Sequence, residues 1–180
     1  MAPATEAKAA LATPAPSLAG LAARVEAHYR HIAATRMAGL PIVHSGLQVR
    51  LLGLAPWETQ PGLAWGVLVT PWSMGLLALP IAAGGPAADT LPRPGRTEPR
   101  QAGDHRLDFI GADDPALGPH AICPLFSPMG EFADQAAAVA TAQAVLQALR
   151  PPAPAAGVAR AAPAAAPARR SFLFGRSAAR

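Results

Sequence analysis

Cysteine is almost missing from this sequence: Cys123 is the only one. A single thiol excludes an internal disulfide and any zinc or iron–sulfur site built from several cysteines. The five histidines, His28, His31, His44, His105 and His120, form no HExxH pattern. His28 and His31 stand at i, i+3 on an expected helix, where they read either as a metal-holding pair or as a solvated one. Long apolar runs are missing too. No stretch of about 20 residues is free of proline and charge, so no stable membrane insertion is expected. The opening MAPATEAKAALATPAPS lacks a basic start followed by an apolar block and does not read as a signal peptide, which leaves the cytoplasm as the expected location. No G-x-S-x-G surrounds Ser127, and Gly84-Gly85 falls in a loop rather than in a phosphate-binding strand–helix turn. No catalytic constellation stands out, so neither enzymatic activity nor a cofactor is expected.

Acidic residues are absent from 150–180, which hold six Arg. Residues 1–149 carry nine Lys or Arg against eleven Asp or Glu, a balance of −2. The basic character therefore belongs to the tail. Its dispersed arginines lack interleaved aromatics, and no nucleic-acid partner is expected.

Proline and glycine are plentiful, at 21 and 16, and they divide the chain. Residues 1–16 are Ala/Pro-rich and expected to be a disordered tail. Residues 17–150 form the domain. Residues 151–180 join an Ala/Pro-rich linker to a basic C-terminal tail. Within the domain, Ser17 is a good N-cap, and Leu18, Leu21, Val25, Tyr29 and Ile32 recur at helical spacing until Gly39 and Pro41. Strands are expected over 47–54, 64–70 and 73–79, with a hairpin or sharp bend at Pro71–Trp72. Residues 82–104 read as a long loop, 105–110 and 121–126 as further strands, and Asp113-Asp114 as a turn. A second helix is expected from Ser127, with Pro128 at its first position, Glu131 and Asp134 near its start, and Phe132, Ala136, Val139, Leu146 and Leu149 on its buried face. The fold class is α+β, a small antiparallel sheet packed by two long helices with disordered tails at both ends.

Apolar residues at element ends carry the functional reading. Trp57, Pro71, Trp72, Leu125, Phe126, Pro128 and Met129 are candidates either for partner anchors or for core caps. Cys123 is either a small buried hydrophobe or a thiol activated by a following helix.

Three segments then resemble one family. These are Leu40–Pro41 with 47–53, the block Trp65-Gly66-Val67-Leu68-Val69-Thr70-Pro71-Trp72-Ser73-Met74, and the block Cys123-Pro124-Leu125-Phe126-Ser127-Pro128-Met129 with Phe132, Asp134 and Gln135. In this order they resemble the HybE-type assembly chaperones of nickel–iron hydrogenases over about residues 20–149. His44-Ser45 replaces the family's usual Asn-Pro, Gly75 its usual Asn, and the central loop lacks its usual Trp. Some family members carry a rubredoxin module, for which this chain lacks the paired cysteines. The resemblance implies a non-enzymatic maturation factor that binds hydrogenase subunit precursors. The small-subunit precursor with its twin-arginine signal is one implied client, the large subunit a second, and a separate rubredoxin-like protein a further partner. The implied partner-binding residues are Trp65, Thr70, Pro71, Trp72 and Met74 from the first block. The second block contributes Cys123, Leu125, Phe126, Ser127, Pro128, Met129, Glu131, Phe132 and Asp134. The alternative is a redox or iron-handling factor acting through Cys123.

The tail adds one more motif. Arg169-Arg170-Ser171-Phe172-Leu173 matches the R-R-x-F-L core of a twin-arginine signal. With no apolar segment after it, it is not expected to direct export. It reads either as a basic solubility tail or as a mimic of the client signal carried by Arg169, Arg170, Phe172 and Leu173.

Overall fold

The computed structural model describes residues 17–150. The expectations for the two tails lie outside them. Helix α1 spans Leu18–Ala34 and is capped by Ser17, whose side chain accepts from the Gly20 N–H. It ends at the Thr35 C-cap, short of Gly39, and turns carry the chain onward to Pro41. Six strands follow: β1 (Arg50–Pro56), β2 (Leu63–Val69), β3 (Met74–Pro80), β4 (Thr97–Ala102), β5 (His105–Asp114) and β6 (Gly118–Phe126). They form one antiparallel sheet in the order β1-β2-β3-β6-β5-β4, and helix α2 (Gln135–Leu149) closes the domain.

The near-continuous apolar runs become β2 and β3, in which every residue is buried. That pattern needs cover on both faces. Helix α1 lays Leu21 and Val25 on one face, against Leu51, Leu68, Leu77 and Leu79. Helix α2 lays Ala138, Ala142 and Leu149 on the other, where Trp57, Trp65, Val67, Leu76 and Phe109 gather. Glu26 also reaches from α1 to accept the Leu51 N–H at 2.9 Å, binding the helix to edge strand β1.

Two expectations fail here for local reasons. The expected loop 82–104 contains a 3-10 turn (Pro86–Thr90) and the whole of β4. Thr97–Ala102 buries only Ala102, so it has no apolar alternation to read. Its charges and Pro99 suit an edge strand, where unpaired backbone must resist further pairing. The second helix starts eight residues later than expected, after a connector that contains a cis Ser127–Pro128 bond. Asp134 is its N-cap, accepting from the Ala137 N–H at 2.8 Å, and Ser127 donates instead to the Trp72 carbonyl at 3.4 Å. Glu131 and Phe132 therefore precede the helix. Its buried face is Ala138, Ala142 and Leu149; Val139 is only half-buried and Ala136 is exposed.

Candidate functional site

The β2–β3 hairpin is fixed by one side chain. Thr70, 1 % exposed, accepts from the Ser73 N–H at 3.0 Å and the Trp72 N–H at 3.4 Å, and donates to the Ser73 carbonyl at 2.8 Å. Pro71 and Trp72 occupy the tip. The loop before β1 joins them through the His44 N–H, which donates to the Pro71 carbonyl at 2.8 Å. The segment after β6 joins through Ser127 on Trp72, and Met74 pairs with Phe126 across the sheet. The two sequence blocks thus converge on one corner of the sheet, with residues 40–46 as its third wall. Thr70→Val is expected to lower stability by about 1–3 kcal/mol, the cost of leaving the buried turn donors unpartnered. Thr70→Ser should retain most of it, read from urea midpoints.

The implied partner-binding residues separate sharply by burial. Trp65, Thr70, Pro71, Met74, Cys123, Met129 and Phe132 are buried, and Trp72, Leu125 and Phe126 are half-buried. Only Ser127, Pro128, Glu131 and Asp134 are exposed, and Asp134 is occupied as a cap. Phe132 stands edge-on to Phe126 at 5.3 Å, so it supports the corner from below. Beyond Pro128, the exposed apolar surface of this corner comes from residues outside the implied set: Leu40 at 43 % and Ile42 at 49 % exposure. Two hollows lie among the segments that form this corner. One, about 370 Å³, lies between Pro41–Ser45 and Pro128–Gly130. The other, about 300 Å³, is lined by Tyr29, Trp72, Leu77, Ile122 and Pro124. Burial, with the Asp114 charge adding to it, pushes the Tyr29 phenol up to about 12.

Asp113 and Asp114 are not at this corner. Asp114 pairs with Gly118 at the start of β6, and the corner sits beside Phe126 at its end, roughly 25 Å away along the strand. Asp114 accepts from the Ala116 N–H and lies 3.3 Å from His28, and these hold its carboxyl below the usual range. Cys123 lies in the core with its Sγ 4.0 Å from the Pro124 carbonyl; burial first, then the Asp108 charge, push its thiol up. A raised thiol is a poor nucleophile, so the redox reading gains nothing from this environment. No cluster of three or more metal-ligating side chains occurs among the described residues, and His28 is engaged with Asp114 rather than His31.

A third concavity, about 360 Å³, brings the candidates Trp57 and Trp65 together. It lies where α2 ends, between Trp57, Glu58, Trp65, Asp104, Leu149 and Arg150. Arg150 stacks over the Trp65 ring at 4.5 Å and donates to the Trp65 carbonyl at 3.0 Å and to the Gly53 carbonyl.

Comparison with known proteins agrees with this architecture. The HybE family model of NiFe-hydrogenase assembly chaperones matches residues 20–175. Protein HoxT of Cupriavidus necator is 46 % identical over 157 residues, covering 81 % of this chain and 83 % of that protein. The hydrogenase expression/formation protein HupJ of Bradyrhizobium diazoefficiens is 38 % identical, covering 82 % and 83 %. The probable rubredoxin HupJ of Rhodobacter capsulatus is 33 % identical, and the match spans 67 % of this chain but 41 % of that longer protein. The solution structure of HybE from Escherichia coli shares the fold, with a TM-score of 0.54 at 21 % identity over 88 % of this chain and 91 % of that one. This chain belongs to the HybE family of NiFe-hydrogenase assembly chaperones.

Proposed function

We propose that the protein binds NiFe-hydrogenase subunit precursors in the cytoplasm, the small-subunit precursor through its twin-arginine signal and the large subunit as a second client, and holds them until assembly is complete. It works by binding rather than by catalysis. The observation that carries this reading is the convergence of both sequence blocks on one corner. There Leu40, Ile42, Trp72 and Pro128 offer apolar surface and Glu131 offers a carboxylate. A twin-arginine signal presents the complement, a basic pair followed by an apolar segment, and a receptor for it needs an apolar surface with acid at one end. The rubredoxin-like partner follows from the longer relative, named a probable rubredoxin, of which this chain matches a part.

Titration of a labelled twin-arginine signal peptide tests the reading. Glu131→Lys should weaken binding several-fold and flatten its salt dependence, because an exposed rim charge acts mainly through long-range attraction. Glu131 is exposed, so the unfolding midpoint should stay put. Unchanged affinity at low salt would remove the acidic end of the proposed receptor.

A further inference from the structure

We propose that the cleft at the end of α2 is the seat of this chain's own segment Arg169–Phe174. The inference goes beyond the client reading, since this cleft shares no residue with the corner proposed for the client. Leu149 and Arg150 line the cleft and are the last residues of the described domain, so residues 151–168 lead directly from its wall to Arg169. At roughly 3.1 Å per residue when extended, that stretch reaches several tens of ångströms, far more than the return requires.

The chemistry matches on both sides. Trp57, Trp65 and Leu149 make apolar walls, and Glu58 and Asp104 are exposed at the rim. Neither carboxylate forms an ion pair with a described residue. The segment supplies two guanidinium groups and then Phe172, Leu173 and Phe174. Arg150 keeps its positive charge on the cleft wall, held by two backbone carbonyls and the Trp65 ring with Glu58 close enough to act on it, so it offsets part of the attraction that the two carboxylates offer. The family match runs to residue 175 and so includes the whole segment.

Tethering gives the segment an effective concentration of millimolar order. A weak intrinsic affinity therefore suffices to keep the cleft filled.

The three tryptophans make the test internal. Trp57 and Trp65 line this cleft, whereas Trp72 stands near the start of α2, roughly 22 Å of helix away. Indole N–H resonances of the ¹⁵N-labelled full chain should therefore separate the possibilities without any client present. The F172A/L173A/F174A variant and the R169E/R170E variant should each shift the Trp57 and Trp65 signals and leave Trp72 still. E58K/D104K combined with R169E/R170E should return the Trp57 signal toward its position in the unaltered chain. No movement in any indole, or movement of Trp72 alone, overturns the proposal; the latter would put the tail at the client corner. The substitutions at 169–174 alter no residue of the described domain.

Discussion

Replacing Gly111 by alanine should abolish most of the protein's stability. A Cβ at this buried position would lie 2.0 Å from the Pro92 carbonyl oxygen and 2.4 Å from that of Arg93. Both are backbone atoms, so no side chain can swing aside. The segment before β4 is held against β5 here: the Gly111 N–H donates to the Arg96 carbonyl at 2.8 Å, and the Gly95 N–H donates to the Gly111 carbonyl at 2.8 Å. Relieving the clash means lifting residues 92–96 away and losing both bonds. The start of β4 would come with them, since Thr97 pairs with Ile110. A loss of roughly 3–5 kcal/mol is expected, a large share of the 5–15 kcal/mol typical of a domain. Urea unfolding measures it, with Gly130→Ala as the matched control. Nothing lies within 4 Å of a Cβ at Gly130, so that change should stay within about 0.5 kcal/mol. Equal midpoints for the two variants would mean that the 92–96 segment does not pack on β5 in solution.

The same segment marks the limit of what the sequence made legible. Elements that bury apolar residues in a fixed period were readable: α1 through Leu21 and Val25, and β2 and β3 through their unbroken runs. The hairpin at Pro71–Trp72 was readable because few residues separate the runs. Strand β4 was not, because an edge strand with one buried residue carries neither alternation nor hydrophobicity. The start of α2 was misread because Ser-Pro and Asp-Gln both look like helix starts, and only the cap bond from Asp134 to Ala137 distinguishes them. Gly111 carried no signal at all, since its role depends on a segment some fifteen to twenty residues upstream.

The candidate site divides along the same line. Sequence blocks named the segments that converge, but a motif does not say which way each side chain points. In Thr70–Met74, Trp72 faces outward while Thr70 and Met74 face in. In 123–132, Pro128 is exposed while Cys123, Met129 and Phe132 are packed. Ile42 was passed over because it lies in a loop with no periodicity, and only its exposure marks it. The cleft beside Arg150 was legible only in part: Trp57 and Trp65 stood among the candidates, but their meeting with Asp104 and Arg150 joins separate parts of the chain and left no pattern to read.

That division yields the largest functional effect expected. Trp72→Ser and Ile42→Asp should each weaken client binding on the order of 30-fold or more, as loss of an anchor worth 2 kcal/mol requires. The double variant should show no measurable binding. Neither residue belongs to the buried core, and the bond that Ser127 makes to residue 72 uses the backbone carbonyl, which the substitution keeps. Unfolding midpoints should therefore move little. Trp65→Ala, seven residues away in the same block, should behave in the opposite way. Trp65 is 4 % exposed and packs against Trp57 at 5.9 Å, so its loss should lower stability by about 3–5 kcal/mol. The fraction that remains folded should bind the client normally. Ile110→Ser tests whether any exposed hydrophobe would do, for Ile110 is 40 % exposed but lies on β5, which β6 separates from the β2–β3 hairpin. Its affinity should match that of the unaltered protein. Titration of a fluorescent signal peptide, together with co-purification of the small-subunit precursor, reads all five variants. If Trp72→Ser and Ile110→Ser bind alike, the corner is not the client site, and the convergence of the two blocks serves only to fold the sheet.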